Sequence, residues 1–180
     1  MSARVYNFSA GPAMLPTEVL EASAAALLDY QGKGFGIAEC SHRGKEFDGV
    51  LDEALARCRS LLGLADTHDI LFLQGGATAL FSQIPQNLHN GPADYLVSGE
   101  WSSKAFKAAK SAGLAVRAVA SSEASNFDHA PTGWSADPAA SYLHVCSNET
   151  VHGHRLGTWP EHPTLIVDAS SEFMARPHPV

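Results

Sequence analysis

The stretch from Asp69 to Leu88, DILFLQGGATALFSQIPQNL, most narrows what this chain can fold into. Ile70 to Leu73 is an apolar run short enough for a buried strand; Gln74-Gly75-Gly76-Ala77-Thr78 breaks it, and Leu80, Phe81, Ile84 and Leu88 return at helical spacing. The pattern predicts strand, glycine turn, helix. Two glycines permit a tight turn, and the amides that open a helix at Ala77 and Thr78 lack intrahelical acceptors, so they can face an anion such as a phosphate. A Gly-Gly pair is far less specific than a full phosphate-loop motif, and a plain unliganded turn accounts for it as well.

The flanking sequence extends the same alternation. After an irregular start with an apolar cluster at Val5, Tyr6 and Phe8, Pro16-Thr17-Glu18 reads as a helix start, and Val19, Leu20, Ala24, Leu27 and Leu28 continue it until Gly32 and Gly34. An irregular link, Gly36 to Arg43, gathers Ser41, His42 and Arg43. A longer amphipathic helix follows on Phe47, Val50, Leu51, Ala54, Leu55, Cys58, Leu61 and Leu62, with Gly63 placed to end it. Asp94 to Val97 reads as a strand, Ser102 to Ala112 as a helix, Ala115 to Ala120 as a strand, Ser121 to Pro138 as loop anchored by Trp134, and Tyr142 to Cys146 and Thr164 to Val167 as strands. Repeated β then α predicts a parallel sheet with right-handed crossovers and flanking helices, an α/β fold.

Composition removes several classes of function. The 180 residues are 45% hydrophobic, enough for a sizeable core, and the mean hydropathy of -0.07 fits a globular chain. A formal charge of -7, with Lys and Arg scattered, predicts no nucleic-acid partner. Cys40, Cys58 and Cys146 are odd in number and have no paired spacing, so neither a disulfide framework nor a zinc site is expected, which fits a reducing cytoplasm. His144, His152, His154 and His162 lack a third ligand at metal-binding spacing and read as solvated loop histidines, and Cys146 as a small core residue. No leader pattern and no apolar run of membrane-spanning length is visible, so no membrane role is expected.

Ligands of a parallel α/β sheet bind beyond the carboxyl ends of its strands, and four such places carry unusual residues: Gly75 to Thr78, Ser98 to Ser102, Asn148 to Thr150, and Asp168 to Ser171. If they converge, they offer amides for a phosphate, an aromatic face for a flat ring, a hydroxyl, and one carboxylate. Those are the fittings of a pyridoxal phosphate pocket, in which the carboxylate keeps the pyridinium nitrogen protonated. Each residue also has a plainer reading: Asp168 as a turn cap for Ser170 and Ser171, Trp101 as a core anchor, Arg43 as a surface ion pair with Glu46, and Thr150 as turn chemistry.

As an ordered set these segments resemble the phosphoserine aminotransferase family, a class V, fold-type-I group of pyridoxal 5'-phosphate enzymes. The resemblance is carried by Asn7-Phe8-Ser9-Ala10-Gly11-Pro12-Ala13, Ser41-His42-Arg43, Phe47, Leu71 to Thr78, Pro85-Gln86-Asn87-Leu88, Gly99-Glu100-Trp101-Ser102, Asn148-Glu149-Thr150 and Asp168-Ala169-Ser170-Ser171. It implies a homodimer exchanging an amino group between L-glutamate and 3-phosphohydroxypyruvate, a phosphorylated three-carbon 2-oxo acid, in serine biosynthesis or also in the pyridoxine pathway. By matching position, Gly76, Ala77 and Thr78 would hold the cofactor phosphate, Trp101 would stack on its ring, Thr150 would sit near the ring hydroxyl, and Asp168 would pair with the ring nitrogen. Arg43 would clamp a substrate carboxylate, with His42 and Ser9 close to the same end.

The resemblance also implies an omission. The family's Schiff-base lysine follows the Asp168 strand, beyond Val180, and Lys33, Lys45, Lys104, Lys107 and Lys110 read as turn, helix-start and solvated-face residues. Residues 1–16 then read as an N-terminal arm and 17–180 as the first half of the large domain, without its remainder or the small domain. Taken alone, such a chain is expected to be inactive. The alternatives are another fold-type-I enzyme, such as a desulfurase, or a non-catalytic binding or assembly module.

Overall fold

The structure is a computed structural model and describes residues 4–9 and 14–177. Residues 10–13 of the Asn7 to Ala13 motif lie outside the described residues. The chain divides into two compact units, Met1–Ile70 and Leu71–Pro179.

In the first unit, α1 (Thr17–Leu28) starts directly after Pro16, whose fixed φ suits a helix entrance. It stops earlier than the glycines suggest: Asp29 is extended, its N–H still reaches the Ala25 carbonyl at 2.9 Å, and its carboxylate takes the Gly34 N–H at 2.8 Å. α2 (Lys45–Leu62) ends as expected at Gly63, left-handed at φ 65°, with the Leu64 N–H returning to the Arg59 carbonyl at 3.0 Å. Neither helix buries a residue. Val19, Leu20, Leu27 and Leu28 on α1 and Phe47, Val50 and Leu61 on α2 are exposed.

The second unit holds the sheet. Its strands are β1 (Ala93–Val97), β2 (Val116–Ser121), β3 (Leu143–Cys146) and β6 (Leu165–Asp168), in the order β2-β1-β3-β6 with all pairs parallel, and α3 (Gly76–Leu88) and α4 (Glu100–Ser111) lead into β1 and β2. A short antiparallel pair, β4 (Asn148–Glu149) and β5 (His154–Arg155), follows β3. Central β1 is buried along its whole length, because successive side chains feed opposite faces and both faces are covered. Tyr95 and Val97 pack with Phe81 of α3 and Ala105 and Ala109 of α4, whereas Leu96 packs with Leu143, Val145 and Leu156 and, at the margin, Trp134.

A charged residue inside this apolar strand needs compensation, and Asp94 has it. Arg117 grips the carboxylate with two bonds of 2.9 and 2.8 Å, and the Asp137 N–H adds a third at 2.8 Å. On the helical side the Tyr95 and Tyr142 hydroxyls bond each other at 2.7 Å, and burial pushes both phenols up.

One expected element is missing: Ile70 to Leu73 is not a strand. A strand is held by the backbone of a neighbour, and no described residue pairs with this segment. Leu71, Phe72 and Leu73 are 71%, 62% and 60% exposed, so the run is an uncovered apolar ribbon rather than core. No helix among the described residues is long and apolar enough to cross a membrane.

Candidate active site

Parallel pairing brings the carboxyl ends of β1, β3 and β6 to one rim of the sheet. α3 reaches the same rim by its start, since it runs back to the beginning of β1 through a short link and rests Phe81 against His144 of β3, ring centroids 6.1 Å apart. Three of the four loops singled out from sequence follow these strands, and the fourth opens α3.

At the opening of α3, Gly75 and Gly76 both adopt left-handed backbone, φ 105° and 63°. A Cβ on Gly75 would stand 2.7 Å from the Ala79 methyl, so the turn needs glycine for space as well as for φ. Around a Cβ at Gly76 nothing lies within 4 Å, and no side chain caps the helix. The amides of half-buried Ala77 and exposed Thr78 therefore belong to an open, uncapped helix start, a favourable place for an anion.

Trp101 and Thr150 meet directly. The indole Nε1–H donates to Thr150 Oγ1 at 3.0 Å. An indole nitrogen only donates, so Thr150 must accept here, and its own O–H remains available to another acceptor. Lys104 lies over the Trp101 ring at 4.5 Å and is paired with Glu100 at 3.1 Å. This lysine belongs to the helix face read as solvated, yet it touches the indole.

Asp168 closes β6 beside Cys146 of β3. The turn-cap reading holds for one of its oxygens: Oδ1 accepts the Ser170 N–H at 3.1 Å and the Ser170 hydroxyl at 2.6 Å. Oδ2 has no partner among the described residues. The neighbouring loop is tied down by Asn148, whose Nδ2 donates to Ser171 Oγ at 2.9 Å while its carbonyl accepts from the same hydroxyl.

Ser9, His42 and Arg43 belong to the first unit and are exposed. The expected Arg43 to Glu46 pair is not formed, because Glu46 is taken by Lys33 at 2.6 Å. That leaves the Arg43 guanidinium without an ion pair among the described residues.

The histidines are not solvated loop residues, a correction with a simple cause: each has packing or a backbone partner. His144 is buried in β3, stacked on Tyr95 at 5.1 Å, and burial lowers its pKa from 6.5 to about 4 despite the nearby Asp168 carboxylate. His154 donates from Nε2 to the Ser98 carbonyl at 2.9 Å, His152 stands edge-on to Phe127 at 5.0 Å, and His162 spans Thr164 and Asp137. Cys146 is buried as expected, which pushes its thiol up.

Sequence reasoning passed over Glu149. It is fully buried, and its carboxylate accepts the Trp101 N–H at 3.0 Å, the Ser102 N–H at 2.9 Å and the Ser102 hydroxyl at 2.6 Å. Its partners lie 47 and 48 positions away, so no local pattern announces the contact.

Comparison with known proteins finds relatives over nearly the whole chain. The chain is 48% identical to the phosphoserine aminotransferase of Aromatoleum aromaticum, over 97% of its own length and 50% of the relative's. Against the Campylobacter jejuni (strain RM1221) phosphoserine aminotransferase it is 47% identical over 96% of its length and 49% of the relative's. Among solved structures, phosphoserine aminotransferase from Bacillus circulans subsp. alkalophilus superposes with a TM-score of 0.92 at 43% identity, covering 99% of this chain and 51% of that one. The PLP-bound phosphoserine aminotransferase from Trichomonas vaginalis gives a TM-score of 0.91 at 40% identity, covering 98% and 51%. This chain thus spans about half the length of the relatives it matches. The Aminotransferase class-V family model matches residues 5–178, and the chain belongs to that family.

Proposed function

We propose that this chain supplies the cofactor-binding part of a phosphoserine aminotransferase, which moves an amino group between L-glutamate and 3-phosphohydroxypyruvate with pyridoxal 5'-phosphate as cofactor. The observation that carries the reading is the trio at the rim: an indole bonded to a hydroxyl that still has a proton to give and, at the end of β6, a carboxylate with one oxygen spare among the described residues. Relatives of that name at 48% and 47% identity support it.

The residues fit the cofactor. Pyridoxal phosphate, when bound, supplies an electron sink for chemistry at an amino acid's α carbon. The uncapped amides at Gly76, Ala77 and Thr78 suit its phosphate. Asp168 Oδ2 suits a protonated ring nitrogen, the Thr150 O–H suits the ring oxygen, and the free face of Trp101 suits stacking. Arg43, fork-shaped and without an ion pair among the described residues, suits a substrate carboxylate, with His42 and Ser9 assigned to the same end. In this reading residues 1–16 are an arm and 17–180 the first half of the large domain. A homodimer in the cytoplasm completes the proposal, supported by the exposed apolar faces of α1 and α2 and by three free cysteines.

Titration with pyridoxal phosphate, followed by cofactor absorbance, tests the reading. Asp168→Asn is expected to weaken binding about tenfold, the scale of one charge-assisted hydrogen bond. Equal affinity in the variant and the wild type would overturn the assignment of Asp168. Borohydride treatment followed by intact-mass measurement is expected to leave no covalent cofactor adduct on any of the five lysines of this chain.

A further inference from the structure

α4 begins in an unusual way. Helix starts are commonly capped by the side chain just before the first turn, but the residue there is Gly99, which has none. The cap comes instead from Glu149, on the short strand after β3, and this buried carboxylate sits where the helix dipole favours negative charge. Gly99 is what admits it: a Cβ at that position would stand 2.5 Å from Glu149 Cδ, although its extended backbone would suit any residue.

The consequence reaches Trp101. Its backbone N–H is held by Glu149 Oε2 and its indole N–H by Thr150 Oγ1, both at 3.0 Å, so two consecutive residues, the last of β4 and the one after it, fix the side chain at its root and at its far edge. Lys104 covers one ring face at 4.5 Å. We propose that Glu149 is the positioning residue of the cofactor site: by fixing the start of α4 against the β4 strand, it aims the open face of Trp101 and keeps Thr150 acting as a hydrogen-bond donor toward the ligand. The proposal rests on the reading of Trp101 and Thr150 as ring-binding residues. Glu149 itself is enclosed by Gly99, Trp101 and Ser102 and acts through them.

The full 180-residue chain, labelled with ¹⁵N, gives the test, with the Trp101 indole signal assigned by Trp101→Phe. In Glu149→Gln the amide nitrogen cannot accept, so exchange at the Trp101 indole N–H and at the Trp101 and Ser102 amides is expected to quicken about tenfold. Affinity for pyridoxal phosphate is expected to fall by a similar factor, while amides of β1 and β3 stay protected. Should the Gln variant fail to fold, Glu149→Asp keeps the charge, shortens the reach by one methylene, and is read by the same two signals. If only the two backbone amides respond, with the indole exchange and the affinity at wild-type values, Glu149 is a helix cap and nothing more, and the proposal is overturned. If pyridoxal phosphate leaves the wild-type Trp101 signal in place, the cofactor reading is what fails, and the indole exchange rates still decide the role of Glu149.

Discussion

His144 shows how a single residue makes stability depend on pH. It is neutral and buried in the native chain, with its pKa lowered from 6.5 to about 4, while in the unfolded chain it takes a proton at the ordinary value. Its contribution is therefore complete above pH 6.5 and is lost as pH falls toward 4, where both states are protonated. The full effect is about 3 kcal/mol. Urea unfolding at a series of pH values is expected to show the slope, and His144→Phe to flatten it. Legibility was uneven at this scale. Trp101, Thr150 and Asp168 could be singled out because they follow apolar runs that become strands. His144 could not, since nothing in the order of residues says that Tyr95 and Phe81 will enclose it.

Among the elements, α3 has a start that is open for a ligand and intolerant of change. Gly75→Ala would place a methyl 2.7 Å from that of Ala79 at φ 105°, so a loss of about 1–3 kcal/mol is expected in thermal unfolding, together with weaker phosphate binding. The strands β1, β2, β3 and β6 and all four helices could be read from periodicity to within a few residues, because both apolar period and flanking Gly and Pro agreed. The Ile70 to Leu73 run could not, because being a strand is a property of two backbones and sequence displays only one. The junction of Glu149 with α4 was hidden for a related reason: its two sides lie far apart in the chain.

At the scale of the whole molecule, the uncovered ribbon Leu71-Phe72-Leu73 is the feature most apt to drive association of chains. Phe72→Lys is expected to slow concentration-dependent aggregation, measured by light scattering, while changing stability by less than about 0.5 kcal/mol. The sheet order has a different implication. Asp168 is delivered by β6, an outer strand, whereas Trp101 and Thr150 follow the two inner ones. A small molecule bridging all three would act as a clasp between the periphery of the sheet and its middle. Occupancy would then be felt most in Leu165 to Asp168, the least buried of the three strands that lead to the site, and a chain that had not yet docked that strand would have no complete seat to offer.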